Sequence, residues 1–167
     1  NGKTGTKVPV FHPLLTNTAS MLAGVRRTYK RKGRDVTALA LAGDGGTADV
    51  GFQSLSGAAE RGEEILYVCV DNEGYMNTGM QKSGATRFGT DRSTSPIGRK
   101  LAGKTTLHRR IISQAMAISH VYAAKLAIDN PFYAIKILKE AIAYNGPSLV
   151  EFFSTCPTGH VTNDWAG

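Results

Sequence analysis

The stretch VTALALAGDGGTADV at residues 36–50, taken with ILYVCVDNEGYMNTG at residues 65–79, decides the fold. Two short apolar runs, residues 36–42 and 65–70, are each bounded by polar turn residues, the pattern of strands buried on both faces. Between them, residues 50–61 carry a helical pattern with Phe52, Leu55 and Ala59 inward and Gly62 as the stop. Strand, helix and strand in this order form a parallel βαβ unit with a right-handed crossover. The first strand runs into Gly43-Asp44-Gly45-Gly46 and the second into Asp71-Asn72-Glu73-Gly74. Ligands of such sheets gather beyond the carboxyl ends of the strands, so Asp44 and Asn72 are expected at one site although residues 45–71 separate them.

Residue chemistry narrows the ligand. Gly43, Gly45 and Gly46 around a single carboxylate let the backbone approach a large anion, and Thr47 or Asp49 then opens a helix whose free amides face it. A diphosphate is the obvious anion. Asp44 would repel phosphate directly, and a hard divalent cation resolves the conflict. Mg²⁺ takes a carboxylate, an amide oxygen, a backbone carbonyl and phosphate oxygens, so Asp44, the Asn72 side chain and the Gly74 carbonyl would supply the protein's three.

At this point a family emerges. The block GDGGTADVGFQSLSGAAERGEEILYVCVDNEGYMNTGMQKSGAT, residues 43–86, resembles the thiamine-diphosphate-binding β subunit of pyruvate and related 2-oxoacid:ferredoxin oxidoreductases. CPTG at residues 156–159 agrees with it, and the resemblance spans most of residues 10–160. It implies an α/β fold, a mostly parallel sheet flanked by helices, forming a diphosphate-binding module. The implied reaction is thiamine diphosphate- and Mg²⁺-dependent oxidative decarboxylation of a 2-oxoacid, pyruvate first, to acyl-CoA and CO₂, with electrons passed to ferredoxin. The implied partners are the other oxidoreductase subunits, including an α subunit supplying the pyrimidine-side domain, together with ferredoxin, the 2-oxoacid and coenzyme A. A glutamate that polarises the aminopyrimidine comes from another domain or subunit in this family, so the polypeptide is expected to be inactive alone.

The same resemblance assigns roles. His12 would lie near the cofactor, against the alternative of a turn histidine without a ligand; Tyr75 and Met76 would line the cofactor. Asn77 is the candidate catalytic group, its amide donating to a developing oxyanion, against the alternative of a turn or cap residue. Cys156 stands where the last ligand of the β subunit's 4Fe–4S cluster is expected, and His160 where relatives often carry tryptophan. A four-thiolate cluster needs three more cysteines, and the chain has only Cys69 besides, inside a buried run.

With 167 residues and no second composition block, the chain is read as one domain, residues 1–167. Its opening NGKTGTK lacks methionine and reads as N-terminally incomplete. Two cysteines make no disulfide framework, and no signal peptide or long apolar run is visible, so a soluble cytoplasmic protein is expected. The net charge of +7 prompts a test for nucleic acid. The basic residues are scattered, however, and the one cluster, residues 26–34, sits at a helix terminus, where the dipole favours cations.

Outside the central block, residues 8–11 suggest a short strand, and residues 17–32 a helix capped by Thr16 or Asn17, with Leu22, Val25 and Tyr29 on one face and Gly33 as stop. Residues 81–106 lose apolar periodicity and read as a long site or interface loop. Within it GRKLAGKT, residues 98–105, matches the phosphate-loop pattern, but residues 89–97 contain Pro96 and make a poor preceding strand. A helix over residues 107–118, a strand near 120–124, a helix from Asn130-Pro131 to about 144 and a strand over 148–154 complete the reading. Two rivals stay in view: a non-oxidative thiamine decarboxylase or synthase, and a non-catalytic assembly subunit that keeps the fold.

Overall fold

The computed structural model describes residues 8–118 and 120–160. Helix α1 (Thr18–Arg31) leads to strand β1 (Leu39–Gly43), a π-helical turn (Gly45–Val50), α2 (Phe52–Glu60) and β2 (Leu66–Asp71). A long irregular region holds only the two-residue strands β3 (Ile97–Gly98) and β4 (Leu101–Ala102). Then come α3 (Ile111–Met116), β5 (Tyr122–Ala127), α4 (Pro131–Ala143) and β6 (Ser148–Phe153). The four long strands form one all-parallel sheet in the order β1-β2-β6-β5.

The continuous hydrophobicity of β2 has a simple cause. Ile65, Tyr67 and Cys69 face one core, with Ala19 of α1, Leu55 and Ala58 of α2 and Ile111 of α3. Leu66 and Val68 face the other, with Leu126, Val150 and the Ala134, Ile137 and Ala141 stripe of α4. A strand between two layers has no face to give to water. Edge strand β1 differs: Ala38 and Ala40 are buried against the α1–α2 layer, while Leu39 and Leu41 are 48% and 68% exposed.

Turn chemistry places most boundaries as expected. Gly33 and Gly62 stop α1 and α2 with φ near +67°, a conformation costly for residues with a Cβ. Asn130 caps α4, accepting from the Tyr133 amide at 3.0 Å, with Pro131 in the first turn. Four expectations need correction. Residues 8–11 are irregular: no strand of the sheet lies beside them to complete a ladder. The helix expected over 107–118 shrinks to six residues, because residues 107–110 are irregular, Arg110 is extended and Arg109 reaches back to the Ala48 carbonyl. The strand near 120–124 runs later, at Tyr122–Ala127, in register with β6. In α1 the buried residues are Ala19 and Ala23, with Leu22, Val25 and Tyr29 only half-buried, since small residues let α1 approach α2. Ser20 and Ser54 hydroxyls meet at 2.8 Å across that contact.

Half of the basic cluster is paired within the chain. Arg26 pairs with Asp35 at 2.8 Å and Glu64 at 2.7 Å, Lys30 with Glu64 at 2.6 Å, and Arg27 with Glu63 at 2.6 Å. The Lys30 ammonium, and then Arg26, hold the Glu64 carboxyl below the usual carboxylate range. A carboxyl depressed on folding stabilises above its unfolded pKa, and that stability is lost as pH falls through the folded value. Glu64→Gln is therefore expected to cost under ~1 kcal/mol at pH 7 and nothing in acid, read from urea midpoints at both pH values.

Candidate cofactor-binding site

The β1 terminus sets the geometry. Asp44 precedes the π-helical turn with helical dihedrals (φ −61°, ψ −41°), and its side chain makes no capping bond. The carboxylate, fully buried, is thus free to turn toward the β2 loop. The helix starts at Gly45, earlier than Thr47 or Asp49: the Thr47 hydroxyl bonds the Gly43 carbonyl four residues back at 2.8 Å, a contact made inside a helix.

β1 and β2 end side by side, with Gly43 opposite Val70. Beyond them Asp44 and Asn72 meet, as the sequence requires. The Asn72 side-chain amide lies 3.0 Å from both Asp44 Oδ1 and the Gly74 carbonyl oxygen, and with its NH₂ turned toward them it donates to both. A cation among the three groups would take the place of that NH₂, with the amide oxygen facing inward. Adjacent ligands of an octahedral Mg²⁺ at ~2.1 Å lie about 3 Å apart, so this donor set fits a hard cation. Burial pushes the Asp44 carboxyl above its ordinary pKa, opposed by the Ser83 hydroxyl and by the amides of Asp44 and Asn72. These donors leave the net effect of burial uncompensated, and a cation would favour the charged form further.

The glycine room is used within the protein. A Cβ on Gly45 would overlap the Tyr75 ring, one on Gly46 would sit 3.0 Å from Leu15 Cδ1, and one on Gly51 would overlap the Gly46 carbonyl oxygen. Gly51 is thus a packing glycine. The Tyr75 hydroxyl lies 3.1 Å from the Gly45 carbonyl and 3.1 Å from Asp49 Oδ2, and burial with the Asp49 charge pushes its pKa up to about 12. Asp49 also accepts from the Gly84 amide at 2.8 Å and pairs with Arg109 at 3.3 Å.

The other expected residues are distributed around this centre. His12 is exposed in the irregular segment whose Leu15 touches Gly46. Met76 is buried between Gly74 and Gly159. Asn77 is exposed on the turn closed by the Gly79 amide on the Met76 carbonyl, clear of the oxygen triad. Cys156 is half-buried beyond β6, its amide donating to His160 Nδ1 at 3.1 Å. The other cysteine, Cys69, is buried in β2. Two thiols in separate environments do not make a cluster site, so this chain supplies at most Cys156 to one.

Three participants were not singled out from sequence. Ser83 donates its hydroxyl to Asp44, Gly84 holds Asp49, and Lys104 is 3% exposed with its ammonium on the carbonyls of Ser83, Gly84 and Thr86 at 3.1, 2.9 and 2.5 Å. The first two lie in the quoted KSGAT. Lys104 belongs to the phosphate-loop look-alike, whose Gly98 to Ala102 portion is the β3–β4 hairpin. Its lysine serves protein carbonyls instead of a nucleotide. Lys104→Met should leave the Thr86 carbonyl without its donor, while the Ser83 and Gly84 carbonyls keep theirs from the Thr86 and Arg109 amides, costing about 1–3 kcal/mol by chemical denaturation, and ATP should shift the melting temperature of neither protein.

Residues 6–152 match the family model described as the C-terminal TPP-binding domain of thiamine pyrophosphate enzymes. The chain belongs to this family. The TPP-binding domain is 54% identical over 160 residues to the NADH-dependent phenylglyoxylate dehydrogenase subunit beta of Aromatoleum evansii, covering 95% of this chain and 36% of the relative. It is 41% identical over 169 residues to pyruvate synthase subunit PorB of Thermotoga maritima, covering 96% and 52%. The chain thus spans between about a third and a half of these relatives. Its fold matches the 2-oxoglutarate:ferredoxin oxidoreductase from Magnetococcus marinus with a TM-score of 0.77 at 22% identity, over 88% of this chain and 48% of that one. The expected α/β architecture, a parallel sheet between helical layers, holds throughout. Among the described residues no helix is long and apolar enough to cross a membrane.

Proposed function

We propose that this TPP-binding domain holds the diphosphate and Mg²⁺ in the β subunit of a 2-oxoacid oxidoreductase. The observation that carries this reading is the convergence of the Asp44 carboxylate, the Asn72 side-chain amide and the Gly74 carbonyl, the amide lying 3.0 Å from each of the other two. When bound, thiamine diphosphate supplies the carbon nucleophile and electron sink that decarboxylation of a 2-oxoacid needs. The chain's own part is placement. Asp44, Asn72 and Gly74 hold the metal, and Ser83 orients the Asp44 carboxylate. Gly43, Gly45, Gly46 and the start of the π-helical turn face the diphosphate. His12, Tyr75 and Met76 border the cofactor, and Asn77 donates to the substrate oxygen. Cys156 would contribute one thiolate to a cluster completed by cysteines outside this chain.

Electrons pass to ferredoxin and the acyl group to coenzyme A in this reading, with the other subunits as partners. Pyruvate is the substrate expected from sequence. A second acyl group, that of phenylglyoxylate, is favoured by the 54% identity to a phenylglyoxylate dehydrogenase subunit, whose NADH dependence also offers a nicotinamide acceptor. Release of CO₂ from each acid by the assembled enzyme, with ferredoxin or NAD as acceptor, decides among them. The reading predicts release that requires both Mg²⁺ and thiamine diphosphate; none from any 2-oxoacid would overturn it.

A further inference from the structure

Among the described residues, Arg92 is a guanidinium without a counter-charge. It is 6% exposed, and its partners are neutral: Nε donates to the Glu73 carbonyl at 3.2 Å, and Nη1 to the Asp91 and Gly159 carbonyls at 2.9 and 3.1 Å. Nη2 has no partner. The nearby carboxylates are engaged elsewhere: Glu73 pairs with Arg87 at 2.5 Å, and Asp91 accepts from the Ile97 amide at 3.0 Å. Buried charges are normally paired, and an unpaired one is costly.

A second orphan lies beside it. Arg92 and Ser95 face each other across a tight antiparallel bridge, their amides and carbonyls exchanging bonds at 3.2 and 2.8 Å. Directly opposed residues of such a bridge put their side chains on one face. Ser95, 8% exposed, also has an unpartnered hydroxyl. The turn adjoins the metal loop, since a Cβ on Gly74 would lie 3.2 Å from Arg92 Nε. His160, next to the Gly159 carbonyl that Arg92 holds, has an Nε2 that makes no hydrogen bond and lies 3.9 Å from Glu73 Oε2.

We infer that Arg92 and Ser95 form an anion subsite for a small carboxylate, that of the 2-oxoacid substrate, presented beside the metal loop. A guanidinium fork and a hydroxyl match a planar carboxylate, and its arrival pairs the charge left open here. The inference rests on the proposed decarboxylase reading for the source of the carboxylate.

The test uses the assembled enzyme with Arg92→Met and Ser95→Ala. KM for the 2-oxoacid should rise at least about 30-fold in Arg92→Met and about threefold to tenfold in Ser95→Ala. Inhibition by oxamate should weaken in parallel, that by neutral oxamide should stay constant, and calorimetric affinity for thiamine diphosphate with Mg²⁺ should not change. Should Arg92→Met fail to fold, Ser95→Ala decides alone. Folded variants that keep KM and oxamate inhibition within twofold, or that lose cofactor affinity in step with them, overturn the subsite. Wild-type enzyme that releases no CO₂ sinks the decarboxylase reading instead. The subsite is then read from stabilisation by oxamate, expected in wild type and absent in both variants; equal stabilisation of all three, or stabilisation by phosphate alone, counts against it.

Discussion

Asp44→Ala should weaken Mg²⁺-dependent binding of thiamine diphosphate by at least about 100-fold, because the proposed metal site then loses a ligand outright where even outer-shell losses cost 10- to 100-fold. Calorimetry with Mg²⁺ or with EDTA, on wild type and variant, measures it directly. Folding follows the opposite logic. The Asp44 carboxyl is buried and its pKa raised, so the folded state prefers it protonated, and its contribution to stability falls as pH rises through the folded value. In the metal-free protein the charge is a liability at neutral pH. Asp44→Asn, which keeps the shape and an oxygen for the Ser83 hydroxyl, should therefore melt no lower than wild type at pH 7.5 while still losing metal-dependent affinity. Equal affinity in wild type and Asp44→Ala would remove the metal from the site.

Gly51→Ala should be the most damaging single methyl in the fold, at about 2–4 kcal/mol. The added carbon would overlap the Gly46 carbonyl oxygen and lie 3.3 Å from the Gly46 carbonyl carbon, both backbone atoms. Gly46 belongs to the π-helical turn proposed to face the diphosphate, and it is further wedged by Leu15. Neither can swing aside as a side-chain end would. Gly24→Ala is the matched control. Nothing lies within 4 Å of a Cβ there, and a mid-helix alanine should raise stability by ~0.5–1 kcal/mol. Denaturant midpoints that move alike in the two variants would contradict the clash.

What sequence revealed was governed by short-range rules. The strand-GDG and strand-DN endings followed from apolar runs and turn residues, and the meeting of Asp44 with Asn72 followed from parallel topology. The helix caps at Asn130, Gly33 and Gly62 are equally local. What sequence concealed depends on contacts across the long irregular region. No periodicity announces that Ser83 reaches Asp44, that Arg109 shortens α3 by reaching Ala48, or that Lys104 binds three carbonyls. The glycines of the first loop read as room for an anion; two of them are room for Tyr75 and Leu15. Residues chosen for function and residues chosen for packing share a composition here, and only coordinates separate them.

The placement of the two sulfurs gives the protein a built-in clock for its own opening. Cys69 is sealed between β1 and β6, and burial drives its thiol far from the thiolate form that alkylating reagents attack, whereas Cys156 is half-exposed. Maleimide added to the native chain should modify Cys156 promptly and stall at one adduct. The second mass increment can then accumulate only as fast as the central strand is laid bare, so its rate counts whole-molecule excursions with no engineered probe.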